Sequence, residues 1–464
     1  MKFKKIYFLL GVFFLVKLFF IFGKFHFVLW DEAVYLGFGK YIYSFGNVGL
    51  FESIRPPGLP FLLGALWSFG VDYIALSDVL ELVFSLGCIY LVYRISRFYF
   101  SEGISFAAAL IFAITPVFFS NSLRIMTEIP SLFFVLLATY FFFKKDYWLV
   151  GLFVGVSFLF KYPYALSLVV FLAALFLNYL RDRNLHEFLS KSLKVVLFFL
   201  LAALPVFLVN HFFYGDVLAP LIEASSHGGN LLYHVENPLL NLFFFPYYLF
   251  IDNFFFVFSL LSLPYLIKSR KYLFLLFIII PLVYFTLIVN KQLRFAIIFL
   301  PFLSILSSYS LFSVYRSLKS YYRFVFLFLM LMMGFFVLFS DFNVYESFPD
   351  EKPDVVEEFY FFLSPNVGPV LTSDPIFAAY SDLKLVPYYD NVVEANLVYD
   401  EKISGSAAVV YTPSSFPCFS DLDCELMKSE LEEKIRNNKL LFYSRYNDEK
   451  YIYLNENYSS SQII

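Results

Sequence analysis

Charge is what this chain has least of. Of its 464 residues only 15% are Asp, Glu, Lys or Arg, while 60% are hydrophobic, with 67 Phe and 36 Tyr. A water-soluble protein of this size could not hide that much apolar surface in a core, so a soluble enzyme is excluded. A net charge of -3 identifies no partner, because the charge is segregated by loop. Cysteine is also scarce, with three residues. Cys88 lies in an apolar run and reads as packing, whereas Cys418 and Cys424 form a disulfide only if the polar C-terminal part faces an oxidising compartment. A cleavage site is missing too. Lys2, Lys4 and Lys5 precede an apolar core as in a signal peptide, but no small-residue motif follows and the run is long enough to span. It therefore reads as a retained first helix with a cytoplasmic N-terminus. Neither an internal repeat nor a low-complexity linker interrupts the chain.

What is present is a succession of apolar runs, each long enough to cross a bilayer. They cover 6–23, 76–97, 103–120, 127–143, 147–160, 163–180, 193–213, 243–267, 272–289, 295–314 and 322–340, which predicts eleven spans. The run 58–70 is shorter and is expected in the interface. Cations test the orientation. With the N-terminus inside, the inner loops hold Lys2, Lys4, Lys5; Arg94, Arg97; Lys144, Lys145; Arg181, Arg183, Lys191, Lys194; Lys268, Arg270, Lys271; and Arg316, Lys319, Arg323. Counting 58–70 as a span would break this alternation. The expected fold is a polytopic α-helical membrane domain, 1–340, whose first outer loop is 24–75. A small extracytoplasmic α/β domain follows at 341–464. In that tail, "GPVLTSDPIFAAYSDLKLVPYYD" and "AAVVYTPSSF" read as short strands, "DCELMKSELEEKIRNN" as an amphipathic helix, and "KLLFYSRYNDEKYIYLNEN" as a hairpin turning near Asn447-Asp448.

The outer loops keep few cations: Lys24, Lys40, Arg55, Arg124, Lys161, Lys291 and Arg294. Lys24 and Lys40 are compatible with snorkelling to headgroups. The others stand at span ends beside polar or acidic residues. "WDEAVY" supplies Asp31 and Glu32, "SIRPPGLPFLLGALW" supplies Arg55, "NSLRIMTEIPSLFF" supplies Arg124 and Glu128, and "NKQLRFAIIFLPFL" supplies Lys291 and Arg294. Lys161 lies in "FLFKYPYAL". Arg124 and Glu128 share a face if their turn is helical. Taken singly these are a solvated turn, a rigid Pro-Pro corner and a local ion pair. Together on one face they suit transfer of a group from an anionic lipid: cations for a phosphate leaving group, and a carboxylate as base for an acceptor hydroxyl.

The order and sidedness of these motifs over 1–340 resemble the GT-C glycosyltransferases, most closely the family 39 group with protein O-mannosyltransferases and lipid A aminoarabinose transferases. The resemblance implies sugar transfer, with inversion, from a polyprenyl (dolichyl-type) phosphate donor to a hydroxyl of a lipid, glycan or protein acceptor at the outer face. It implies Asp31 as catalytic base with Glu32 as its partner. Arg124, Lys291 and Arg294 are implied as the phosphate-binding residues, joined by Arg55 and Lys161. Glu128 falls where some relatives bind a divalent metal or position the acceptor. The extra lumenal domain of the protein mannosyltransferases is not evident between the later spans, which counts against a protein acceptor. The stretches "HFFYGD" and "SHGGNLLYHVENP", at the start of and within the loop 214–241, bring His211, His227 and His234 near Asp216, Glu223 and Glu236. Their spacing matches no compact metal motif, and Gly228-Gly229 suits a loop that orders over substrate. Rival readings are a secondary transporter or lipid flippase-like protein, an oligosaccharyltransferase subunit and a lipid-linked sugar ligase. Against the first stands the lack of an inverted repeat; against the second, the absence of Trp from the tail; against the third, the Asp-Glu pair, which a ligase does not need.

Overall fold

The computed structural model describes residues 5–227, 238–269, 271–288, 291–364, 367–389, 391–418, 422–446, 448–455 and 458. The chain divides into two compact units: Met1–Gly23, Pro56–Gly58 and Ser77–Ser347 form the first, and Lys24–Arg55, Leu59–Leu76 and Phe348–Ile464 the second.

The first unit is helical, as apolar runs must be where lipid offers the backbone no hydrogen-bond partner. Among the described residues five helices are long and apolar enough to cross a membrane: Lys5–Gly23, Tyr73–Ser96, Tyr162–Asp182, Leu185–Phe212 and Ser320–Val344. Other apolar runs are broken or shorter. The run expected over 243–267 bends by 119° between Phe243–Asp252 and Phe254–Ser269, and becomes a sixth span only if the pair is counted as one. Asn253 makes the break, its amide donating to Thr115 Oγ1 at 2.9 Å. The run over 103–120 divides for a related reason. Glu102–Ala113 ends before Thr115, and Pro116, which cannot continue the preceding helix, opens the short helix Pro116–Asn121. Asp252 accepts from the Val117 N–H there at 3.2 Å. Residues 293–298 form a 3-10 turn before Leu300–Ser317 begins.

Close packing in this unit uses "GLFVG", residues 151–155. A Cβ on Gly151 would stand 2.1 Å from the Val195 carbonyl, and one on Gly155 2.5 Å from Ala202 Cβ. The helix Tyr147–Phe160 therefore lies backbone-to-backbone against Leu185–Tyr214, as small-xxx-small spacing permits. Lys17, buried in the helix Lys5–Gly23, donates to the Ser122 carbonyl and so ties that helix to the bend after Asn121.

The second unit is built on a five-stranded sheet ordered β2-β1-β3-β5-β4. Its strands are β1 (Val370–Thr372), β2 (Leu385–Pro387), β3 (Ala408–Tyr411), β4 (Lys439–Tyr446) and β5 (Asp448–Leu454). β1 pairs in parallel with β2 and β3, and β5 runs antiparallel to β3 and β4. Asn447, part of the expected hairpin turn, lies outside the described residues. Alternate residues serve two cores, as the two-residue period of a strand dictates. Val370, Ala408 and Val410 enter one with Phe359, Phe377, Val34 and Leu50. Leu371, Val409 and Tyr411 enter the other with Tyr399, Leu431 and Ile435 from the helices Val392–Lys402 and Leu422–Arg436. Cys418 and Cys424 are joined as a disulfide, Cα–Cα 5.7 Å.

Val34 and Leu50 come from the segment 24–55 between the first two long helices, which belongs to this unit's core. The loop also meets the sheet edge. Gly49 bridges Lys384 in parallel, its N–H donating to the Leu383 carbonyl at 2.8 Å while its own carbonyl accepts from Leu385. Its φ of +84° and a would-be Cβ 2.2 Å from the Gly37 carbonyl restrict this position to glycine. Lys24 pairs with Asp350 at 2.7 Å. Lys40 is buried, pairing with Asp382 at 2.9 Å and donating to the Ser381 carbonyl. Burial pushes its ammonium below the ordinary value and Asp382 opposes this. Neither lysine snorkels; both bind the loop to the C-terminal part.

Candidate active site

Two polar clusters, one in each unit, hold the residues that the sequence singles out. In the second unit, the helix Trp30–Tyr43 begins at the Asp-Glu pair, where carboxylates favour the unpaired N–H groups of a first turn. Glu32 is buried and serves that helix start: Oε2 accepts from the Leu29 N–H at 2.7 Å, and Oε1 lies 3.0 Å from His26 Nε2. Asp31, half-buried, pairs through Oδ1 with Arg55 Nη2 at 2.9 Å. Arg55 also reaches Glu52 Oε2 through Nε at 2.7 Å and lies 5.3 Å over the Tyr35 ring. Tyr389 donates its hydroxyl to Glu52 Oε1. Burial works against the Arg55 charge, but Glu52 and Asp31 outweigh it and hold the guanidinium well above its ordinary value. Glu52 and Tyr389 have no part in the expected motifs. Glu52 could have been found from its spacing, a carboxylate three residues before an arginine. Tyr389 carries no such mark, because its partner is 337 positions away.

In the first unit, the helix Glu128–Lys144 opens on Glu128, whose side chain is fully buried. Its carboxylate pairs with Lys161, and Arg294 Nε lies 3.4 Å from the same Oε1. Lys161 stands at the break between the helix Tyr147–Phe160 and the 3-10 turn Tyr162–Ala165, and its ammonium lies 5.2 Å from the Phe295 ring centroid. Arg294 Nη1 is 3.8 Å from Met126 Sδ. Arg124 is half-buried in the bend before this helix, so the helical turn that would put it on a face with Glu128 is not formed. Lys291 is spent on the backbone. Its ammonium donates to the carbonyls of Phe285 (2.9 Å), Thr286 (2.6 Å) and Ile288, closing the end of the helix Tyr272–Leu287. Those bonds occupy all three of its donors. Burial pushes its pKa down.

A divalent metal does not fit at Glu128, because two cations already share that carboxylate. Among the described residues no three His, Cys, Asp or Glu side chains come together as metal ligands. Gly228, Gly229, His234, Glu236 and the side chain of His227 lie outside the described residues.

Residues 55–209 match the model of the family described as dolichyl-phosphate-mannose-protein mannosyltransferase. No curated protein matches the chain. Among solved structures, ArnT from Cupriavidus metallidurans bound to undecaprenyl phosphate is similar over 98% of each chain, with a TM-score of 0.66 at 14% identity. The fold is that of the GT-C glycosyltransferases. The Archaeoglobus fulgidus oligosaccharyltransferase tethered to an acceptor peptide shares this GT-C fold over 98% of the present chain and 74% of its own, at TM-score 0.58 and 14% identity. AglB from the same organism, in complex with an inhibitory peptide and a dolichol-phosphate, covers 100% and 76%, at TM-score 0.57 and 14% identity.

Proposed function

We propose that this protein is a multi-pass membrane glycosyltransferase. In this reading it transfers a sugar from a polyprenyl (dolichyl-type) phosphate donor to a hydroxyl of a lipid, glycan or protein acceptor. The observation that carries it is the cluster of Lys161 and Arg294 on buried Glu128, in a fold that ArnT shares in its complex with undecaprenyl phosphate. Two cations pre-aligned by one buried carboxylate form a rigid seat for a phosphate, and an arginine fork suits its oxygens. Arg124 supplies a further phosphate contact, whereas Arg55, expected to do the same, is held by Asp31 and Glu52 and serves the base instead. Lys291 supports the seat by fixing the helix end before Arg294.

Asp31 is the general base. The acceptor O–H gives its proton to the Asp31 carboxylate while its oxygen attacks the anomeric carbon on the face opposite the phosphate. The bond from that carbon to the phosphate oxygen breaks, and polyprenyl phosphate leaves with the electron pair. The sugar is inverted. Glu32 keeps the first turn of the helix Trp30–Tyr43 closed, so that Asp31 stays at its mouth.

In this reading the shorter and bent apolar helices also cross the membrane, giving eleven spans with the N-terminus inside and the residues from 341 onward outside. The Cys418–Cys424 disulfide supports an oxidising compartment for the tail. The test uses membranes carrying the full-length chain, incubated with radiolabelled polyprenyl-phosphate mannose. Label passes to membrane lipids, glycans or proteins, and Asp31→Asn lowers the rate about 100- to 10,000-fold, the usual worth of a positioned base. Equal transfer by wild type and variant refutes the assignment.

A further inference from the structure

Glu52 is buried and has both carboxylate oxygens engaged, Oε2 by Arg55 Nε at 2.7 Å and Oε1 by the Tyr389 hydroxyl. Tyr389 stands just beyond β2, itself buried, with its ring 4.8 Å from Trp30 in edge contact. Trp30 precedes Asp31 in the chain. A closed circuit results: Trp30 holds Tyr389, Tyr389 holds Glu52, Glu52 holds Arg55, and Arg55 pairs with Asp31.

This circuit bears on the chemistry of Asp31. A guanidinium paired with a single carboxylate favours its ionised form and makes it a poor proton acceptor. A second carboxylate on the same guanidinium offsets that effect. We propose that Glu52 and Tyr389 are positioning residues for the transfer reaction, orienting Arg55 and sharing its charge so that Asp31 stays basic enough to take the acceptor proton. The inference rests on the glycosyltransferase reading above. Asp31 meets Arg55, which also lies over the Tyr35 ring; Glu32, next in the chain, pairs with His26, and Glu52 and Tyr389 reach Asp31 through Arg55.

The label-transfer assay, run with full-length protein in membranes across roughly pH 4 to 9, tests it. Activity that needs the Asp31 carboxylate falls off on the acid side. In Glu52→Gln, Arg55 keeps one anionic partner, so that acid limb moves down by about one pH unit and the plateau kcat falls about tenfold. Tyr389→Phe keeps the Glu52 charge, so its limb stays in place while kcat falls about tenfold through lost orientation. A Glu52→Gln limb that coincides with wild type overturns the proposal. Should Glu52→Gln fail to accumulate, a Tyr389→Phe kcat equal to wild type overturns it instead. The two levels separate cleanly: active Asp31→Asn defeats the reaction itself, whereas inactive Asp31→Asn beside an unmoved Glu52→Gln limb defeats only the circuit.

Discussion

Neutralising Glu128 should tighten binding of a lipid phosphate rather than weaken it. The carboxylate is fully buried, while Lys161 and Arg294 keep 13% and 23% of their side chains exposed. With Glu128 ionised, the trio carries one net positive charge; Glu128→Gln raises it to two at almost constant shape. A phosphate in hydrogen-bond reach of either cation sits roughly 6 Å from the carboxylate. Two unit charges at that separation repel by about 3 kcal/mol at an effective dielectric constant near 20. Solvent access to the two cations cuts the effect to about 1–2 kcal/mol, which is about 5- to 30-fold in affinity. The assay is equilibrium binding of radiolabelled undecaprenyl phosphate to full-length protein in nanodiscs, for wild type, Glu128→Gln and Lys161→Met. Glu128→Gln binds more tightly, Lys161→Met less so, and turnover in Glu128→Gln falls because the lipid phosphate product leaves more slowly. Weaker binding by a Glu128→Gln protein with an unchanged unfolding temperature would refute the charge-balance reasoning, since the loss of cation alignment would then outweigh the gain in net positive charge.

Two further outcomes follow from buried pairs. Lys291→Met removes three hydrogen bonds to the end of the helix Tyr272–Leu287; it should cost about 1–3 kcal/mol of stability, read as a lowered unfolding temperature in detergent, and weaken undecaprenyl phosphate binding by loosening the support of Arg294. Lys450 pairs with Asp374, and their side chains are 10% and 2% exposed. Lys450→Met leaves that carboxylate buried with the Tyr360 hydroxyl and the Ile376 N–H but without its cation; it should cost about 3 kcal/mol, seen as faster hydrogen exchange in β5, and the double change with Asp374→Asn should regain most of it.

The membrane-embedded part was legible wherever a run of Phe and Leu is uninterrupted, as in Lys5–Gly23 and Ser320–Glu346. It was least legible at Thr115 and Asn253. A single polar residue barely lowers the hydropathy of a run, yet these two bond to each other across 138 positions and both runs break there. The tail's strands showed in clusters such as "AVVY", because a strand buried on both faces has little room for polar residues. What covers its sheet did not show, since Val34 and Leu50 look like any apolar residues of a connecting segment. The candidate site was legible as a set of charges but not as pairings. Glu128 was matched with Arg124, its neighbour in the chain, whereas the fold gives it Lys161 and Arg294. Lys40 looked like a headgroup contact because nothing in its own stretch reveals Asp382.

The shared core of the segment carrying Asp31 and the C-terminal sheet has a consequence for synthesis. Val34 and Leu50 leave the ribosome about 300 residues ahead of Val355, Val370 and Ala408, which bury them. The helices of the first unit can enter the membrane in turn, but the Asp31 loop has no finished partner until nearly the whole chain exists. The carboxylate first in the chain is thus among the last to be fixed. A nascent chain that stalls or stops before β1 would leave an inserted helical bundle bearing a loop whose apolar side is bare, and so an inactive precursor open to proteases.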